Sequence, residues 1–211
     1  MNVARRTADE TRQCILVAAW DLFRQVGFRK TTVADIAGAL GMSSANIYRF
    51  FASKDALTEA ICRNLLGALT EAARAAATGP GDARARLAAL LLTLHGNLRD
   101  QMTNQKRVHE VVAVALEENW PAVHEFVQAC EAIIAVVVAE GQASGEFGPG
   151  DPKTLAELVS AACAVIHHPT MIAQCAAMKP DMRAEAVVDF ALRALANQNP
   201  PAALISPETA S

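Results

Sequence analysis

No apolar run in this sequence is long. The longest uninterrupted one, Ala132 to Ala139, has eight residues, less than half of the roughly 20 that span a bilayer. The opening stretch MNVARRTADETRQC holds no apolar core of the kind a signal peptide needs, so the expected location is the cytoplasm and no membrane partner is expected. Paired cysteines are missing too. Cys14, Cys62, Cys130, Cys163 and Cys175 are odd in number, scattered, and never spaced CxxC. That excludes a disulfide framework and a zinc site. Four of the five sit among Ala, Val, Leu or Ile, where a reduced cysteine serves as a small hydrophobe. Strand alternation with hairpin chemistry is absent, as is any internal repeat, and no motif for a cofactor occurs.

What remains is helical. Apolar residues make up 52% of 211 and charged ones 19%, enough hydrophobicity to build a core and exclude wholesale disorder. Thr7 with Glu10 and Thr32 with Asp35 fit capping boxes, in which a hydroxyl and an acid three residues on satisfy the free amides of a helix start. Ile15, Leu16, Ala19, Leu22, Phe23 and Val26 follow the first at helical spacing, and Val33, Ile36, Ala37 and Leu40 the second. Ser43 and Ser53 are suited to cap a third and a fourth helix. Further on, Asp82, Pro121, Asp151-Pro152 and Asp181 mark helix starts, and Pro169 should interrupt the helix carrying Leu155, Leu158, Val159, Ala162 and Ile166. The expectation is an all-α chain of about nine helices. Residues 1–54 form a three-helix head with a helix-turn-helix, 55–196 a helical body, and 197–211, with three prolines, a flexible tail.

Charge separates head from body. Eight of the nineteen basic residues but only four of the twenty-two acidic ones fall within residues 1–54. A basic head on an acidic body suits contact with a polyanion. Within that head, TVADIAGALGMSSANIYRFF reads as two short helices joined at Leu40-Gly41-Met42-Ser43, with the small residue placed where backbones approach. Burying Ile36, Ala37, Leu40 and Ile47 leaves Ser44, Ala45, Asn46, Tyr48 and Arg49 for a major groove.

These runs carry a family resemblance. AAWDLFRQVGFRK followed by TTVADIAGALGMSSANIYRFFASKDALTEAI resembles the N-terminal domain of TetR-family transcriptional regulators, over roughly residues 10–62. The resemblance implies a homodimeric DNA-binding regulator, most often a repressor released from a palindromic operator by a small molecule. It places Thr32, Val33, Ser43, Ser44, Ala45, Asn46, Tyr48, Arg49 and Lys54 at the DNA, with Tyr48 and Lys54 at the family's usual phosphate-contacting positions. Ser44, Ala45 and Phe50 depart from the common pattern, which bears on the bases read rather than on the fold.

For the body, the expectation is a fairly apolar effector held among the helices by His95, Met102, His109, Trp120, Phe126 and His167, with no cofactor and no metal. The dimer is expected through the two C-terminal helices, along the stripe from Leu155 to Ile166 and that of Val187, Phe190, Ala191 and Leu195. Two other readings stand beside this one: a helical small-molecule binding or enzymatic protein with a vestigial helix-turn-helix, and a cysteine-based redox sensor. Of these the non-enzymatic regulator is the leading expectation.

Overall fold

A computed structural model describes residues 7–104, 111, 114–115, 120–178 and 183–196. Among the described residues there are ten helices and no strand: α1 (Ala8–Val26), α2 (Val33–Ala39), α3 (Ser44–Tyr48), α4 (Lys54–Ala77), α5 (Ala83–Asn104), α6 (Pro121–Ala143), α7 (Pro152–Ala162), α8 (Ala164–His167), α9 (Pro169–Met178) and α10 (Ala184–Leu195). Both capping boxes form: Thr7 and Glu10, and Thr32 and Asp35, each exchange side-chain and backbone hydrogen bonds. Ser43, Ser53 and Asp151 cap α3, α4 and α7.

Elsewhere the elements depart from the sequence reading. The helix opened by Asp151 ends at Ala162, a short α8 follows, and His168 is extended before Pro169 starts α9. Proline disfavours the helical conformation in the residue before it, so the break falls at His168 and Pro169 takes a first-turn position. The last helix begins at Ala184 after Arg183, with no side-chain cap. Asp181, expected to cap it, lies outside the described residues, as do Arg5, Arg6 and the tail from 197. Of the helix expected around Val108–Leu116, Val111, Val114 and Ala115 are described, and all three are helical.

Two large apolar cores organise the described residues, with a small third cluster at Leu69, Leu98 and Ile172. The first joins Ile15, Leu16, Ala19 and Phe23 of α1 to Val33, Ile36, Ala37, Ile47 and Phe51, then continues past residue 54 through Leu57, Ala60, Ile61 and Cys62 of α4 to Val111, Ala115 and Trp120. The second joins the far end of α4 at Ala73 and Ala77 to α5, α6, α7, α8 and α10. One rigid rod, α4, therefore serves both. Glu146 closes the start of α5 from afar: its carboxylate accepts from the amides of Ala83 and Arg84 at 3.2 and 3.0 Å, the charge a helix N-terminus favours.

α6 is long and apolar enough, by length and composition, to cross a bilayer, with a mean hydropathy of 1.7. In the fold it is a partly buried body helix, with Val127 and Val136 left exposed. It packs against α4, α5 and α7, seals Ile134, Val137 and Val138 inside, and carries Glu125, Glu131 and Glu140.

Candidate nucleic-acid interface and internal cavity

The helix-turn-helix is built by α2 and α3. Its turn depends on Gly41 for a reason other than crowding. A β-carbon there meets nothing within 4 Å, but the backbone sits at φ +63°, a left-handed conformation that glycine adopts without steric cost. Of the four residues expected beneath, Ile36, Ala37 and Ile47 are sealed, while Leu40 is half-buried against the same core. Above them Ala45, Tyr48 and Arg49 are exposed and Ser44 and Asn46 half-buried. Tyr48 keeps 51% of its surface open, so its ring does not fill the core. Thr32 and Ser43 are exposed at the starts of the two helices, each hydroxyl accepting from the amide three residues on at 3.2 Å.

Two residues assigned to DNA are placed differently. Val33 is 8% exposed and belongs to the head core, on the same stripe as Ile36 and Ala37, so its side chain is spent on packing. Lys54 turns inward. Its Nζ donates to the carbonyl of Phe28 at 2.6 Å and stands 4.3 Å from the centre of the Phe28 ring. That ring meets Phe23 edge-on at 5.4 Å. Burial pushes the Lys54 ammonium below its usual range, with Asp55 opposing. Lys54 thus fastens the start of α4 to the turn after α1, and the cation over the ring strengthens the clasp. Arg12 makes a similar contact, 4.6 Å above Phe51.

Where the two cores approach, the body forms a half-open cavity of about 330 Å³, within the size range of small-molecule sites. Its wall includes Leu66, Leu94, Leu98, Phe126 and both Cys62 and Cys130. Cys62 and Ala115 also belong to the head core, so the floor of the cavity is the roof of the head. Of the residues expected at a ligand, Phe126 and His167 line it. His95 stands behind the wall, its Nδ1 donating to the carbonyl of Ile166 at 2.8 Å. Trp120 packs into the head core instead. Met102 lies on α5, but its side chain, like all of His109, lies outside the described residues.

The cysteines and Pro169 of this wall carry no local signal of a site, since each reads in the sequence as core or as a break. His167 donates from Nε2 to the Leu91 carbonyl at 2.9 Å, which leaves Nδ1 as an acceptor. Burial pushes its pKa down, the Leu91 bond opposes, and His95 adds to the lowering, so the ring is neutral. Burial also pushes the Cys62 thiol up to about 11 and Cys130 to about 12. Protonated thiols are poor nucleophiles and poor redox sensors, which removes the observation a cysteine-based signal would need at this site.

A bidentate pair links the two halves outside the cavity. Arg63 of α4 donates from Nε and Nη2 to the Glu125 carboxylate of α6 at 3.1 and 3.2 Å, and also reaches Glu59 at 3.1 Å.

Comparison with known proteins fits this arrangement. Residues 15–61 match the family described as bacterial regulatory proteins, tetR family. Residues 83–188 match the tetracyclin repressor-like C-terminal domain. The HTH-type transcriptional repressor KstR2 of Rhodococcus jostii (strain RHA1) is 39% identical over 79 residues, covering 37% of this chain and 39% of that protein. The HTH-type transcriptional regulator RutR of Escherichia coli (strain K12) is 39% identical over 61 residues, 29% of each. The aligned segments therefore span less than half of either relative. Over nearly the whole chain, a TetR/AcrR-family regulator from Thermobifida fusca superposes with a TM-score of 0.58 at 25% identity, covering 87% of this chain and 94% of its own. A protein of unknown function from Rhodococcus sp. RHA1 shares the fold, with a TM-score of 0.69 at 22% identity over 93% and 100%.

Proposed function

Because the chain belongs to the TetR family of DNA-binding transcriptional regulators, we propose that it is a cytoplasmic repressor, dimeric on a palindromic operator and released by a small, fairly apolar molecule. Its relatives are transcription factors rather than enzymes, and the reading treats it as non-enzymatic. Ser44, Ala45, Asn46, Tyr48 and Arg49 face the major groove from α3, while Thr32 and Ser43 meet the backbone at the two helix starts. Asn46 is suited to pair with adenine in a bidentate manner. Lys54 acts mainly on the frame, holding the start of α4 so that its first amides face phosphate.

Release follows from the shared wall, the observation that carries this reading. A molecule filling the cavity presses on Cys62 and Ala115, which are packed into the head. A packed interior transmits such a displacement rather than absorbing it. With α4 as the lever and two heads joined through the body, a small shift misaligns both recognition helices with successive grooves.

Dimerisation is assigned to α7 and α10. These two helices pack on one another and leave Leu158 and Phe190 exposed, beside the small residues Ala162 and Ala194. Selection of bound DNA from a random pool tests the function. A two-fold symmetric site supports it, and failure to enrich any sequence overturns it.

A further inference from the structure

With Lys54 bound to the Phe28 carbonyl, the start of α4 loses the side-chain cation that the family pattern offers to DNA phosphate. A second cation reaches the same junction from α1. Arg12 is exposed, and its guanidinium lies over the Phe51 ring, 4.6 Å from the centre. Phe51 is sealed in the head core, between Tyr48 at the end of α3 and Ser53, the cap of α4. The ring is therefore a fixed platform where the recognition helix hands over to the next. No hydrogen bond or ion pair to another described residue occupies Arg12. Stacking covers one face of a planar guanidinium and leaves the N–H donors around its edge free. That edge matches two oxygens of a phosphate, and a side chain already held in place loses less freedom on binding. Arg29, Lys30 and Arg49 are exposed as well, but no ring among the described residues holds them.

We propose that Arg12 is a phosphate-binding residue of the operator interface, held by the Phe51 ring so that its forked edge takes a backbone phosphate beside the exit of α3. This rests on the reading of the chain as an operator-binding regulator. The contact comes from outside the helix-turn-helix. Because α1 and α3 share one core, a phosphate held from α1 also fixes the register of the recognition helix in its groove.

The test uses the full-length protein and a duplex of about 30 base pairs carrying the sequence enriched from a random pool, with binding followed by anisotropy across a salt series. Arg12→Gln should weaken binding about tenfold or more. It should also flatten the plot of log K against log salt by roughly 0.9 for each head, with the melting temperature unchanged. Arg12→Lys should keep the parent slope but bind less tightly than the parent, because an ammonium cannot fork. The loss should be alike on single-base variants of the duplex, since a phosphate contact carries no base preference. Unchanged affinity and slope in Arg12→Gln overturn the proposal while operator binding stands. So does a loss accompanied by a lower melting temperature at parent slope, which marks Arg12 as structural, or a loss confined to particular bases. A lysine variant as tight as the parent overturns the forked contact. If the parent chain enriches and binds no duplex, the operator reading fails and takes the proposal with it.

Discussion

The exposed apolar pair on α7 and α10 gives the most quantitative handle on assembly. With about 200 Å² for a whole phenylalanine side chain, the 65% of Phe190 left open is about 130 Å², worth about 3 kcal/mol on burial at ~25 cal/mol per Å². Leu158, 60% exposed, adds about 1–2 kcal/mol, taking about 1.5–3 kcal/mol for burial of the whole side chain. A two-fold interface uses each residue twice. Phe190→Ala keeps the β-carbon, so the expected loss is about 2 kcal/mol per subunit and about 4 kcal/mol per dimer, a roughly thousandfold rise in the dimer Kd. Sedimentation equilibrium between about 0.1 and 100 µM reads this directly, since dimer fraction follows concentration. Phe190 lies outside the body core, so the variant subunit should remain folded by circular dichroism. A dimer Kd within about threefold of the parent value, or a parent chain that stays monomeric across the range, would refute the assignment of this face.

Four other outcomes follow from the structure. Lys54→Ala should lower the melting temperature, because the Phe28 carbonyl loses its 2.6 Å donor, a contact worth about 1–3 kcal/mol; an unchanged melting curve would show the clasp to be idle. Tyr48→Ala should leave melting unaltered, since the ring is half exposed, yet weaken binding to most DNA sequences alike, as a backbone contact does; equal affinity in gel shift would remove it from the interface. Gly141→Ala should destabilise by about 1–3 kcal/mol, because its new β-carbon would collide with the Phe147 ring and press on Ala83 at 3.0 Å; chemical denaturation measures this. Glu146, although burial raises its pKa, is held lower overall by hydrogen bonds from Ser144 and the amides of Arg84 and Ala83. Its stabilisation is therefore complete above the ordinary value of 4.5 and is lost as pH falls below it through the folded value; Glu146→Gln should flatten that part of the acid limb.

The head was legible in the sequence because its determinants are local. Capping boxes act over three residues, and the stripe Val33, Ile36, Ala37 follows the helical period. That period also placed Val33 inside, where the family's pattern had placed it at DNA, and the structure agrees with the period. Lys54 could not be read this way. Its partner Phe28 is 26 residues distant, and only the folded turn brings the ammonium over the ring. The role of Gly41 was half legible: the turn marks a glycine as necessary, but its φ rather than close packing is what requires it.

The body resisted for a different reason, which bears on how it works. An amphipathic pattern states that a side chain is apolar, not which surface covers it. Val159, Ile166, Ala191 and Leu195 of the expected dimer stripes are sealed within their own subunit, while Leu158 and Phe190 on the same helices are left open. A third set on α7 and α8, Ala161 and Ala164, faces the cavity. One short stretch thus serves core, candidate interface and candidate effector wall at once. Because these surfaces share a backbone, the proposed effector, in displacing the cavity-facing residues, would also move their neighbours at the candidate interface or lift the Cys62 floor beneath the head. Packing leaves little slack between them, so the proposed coupling of effector to operator requires no further moving part.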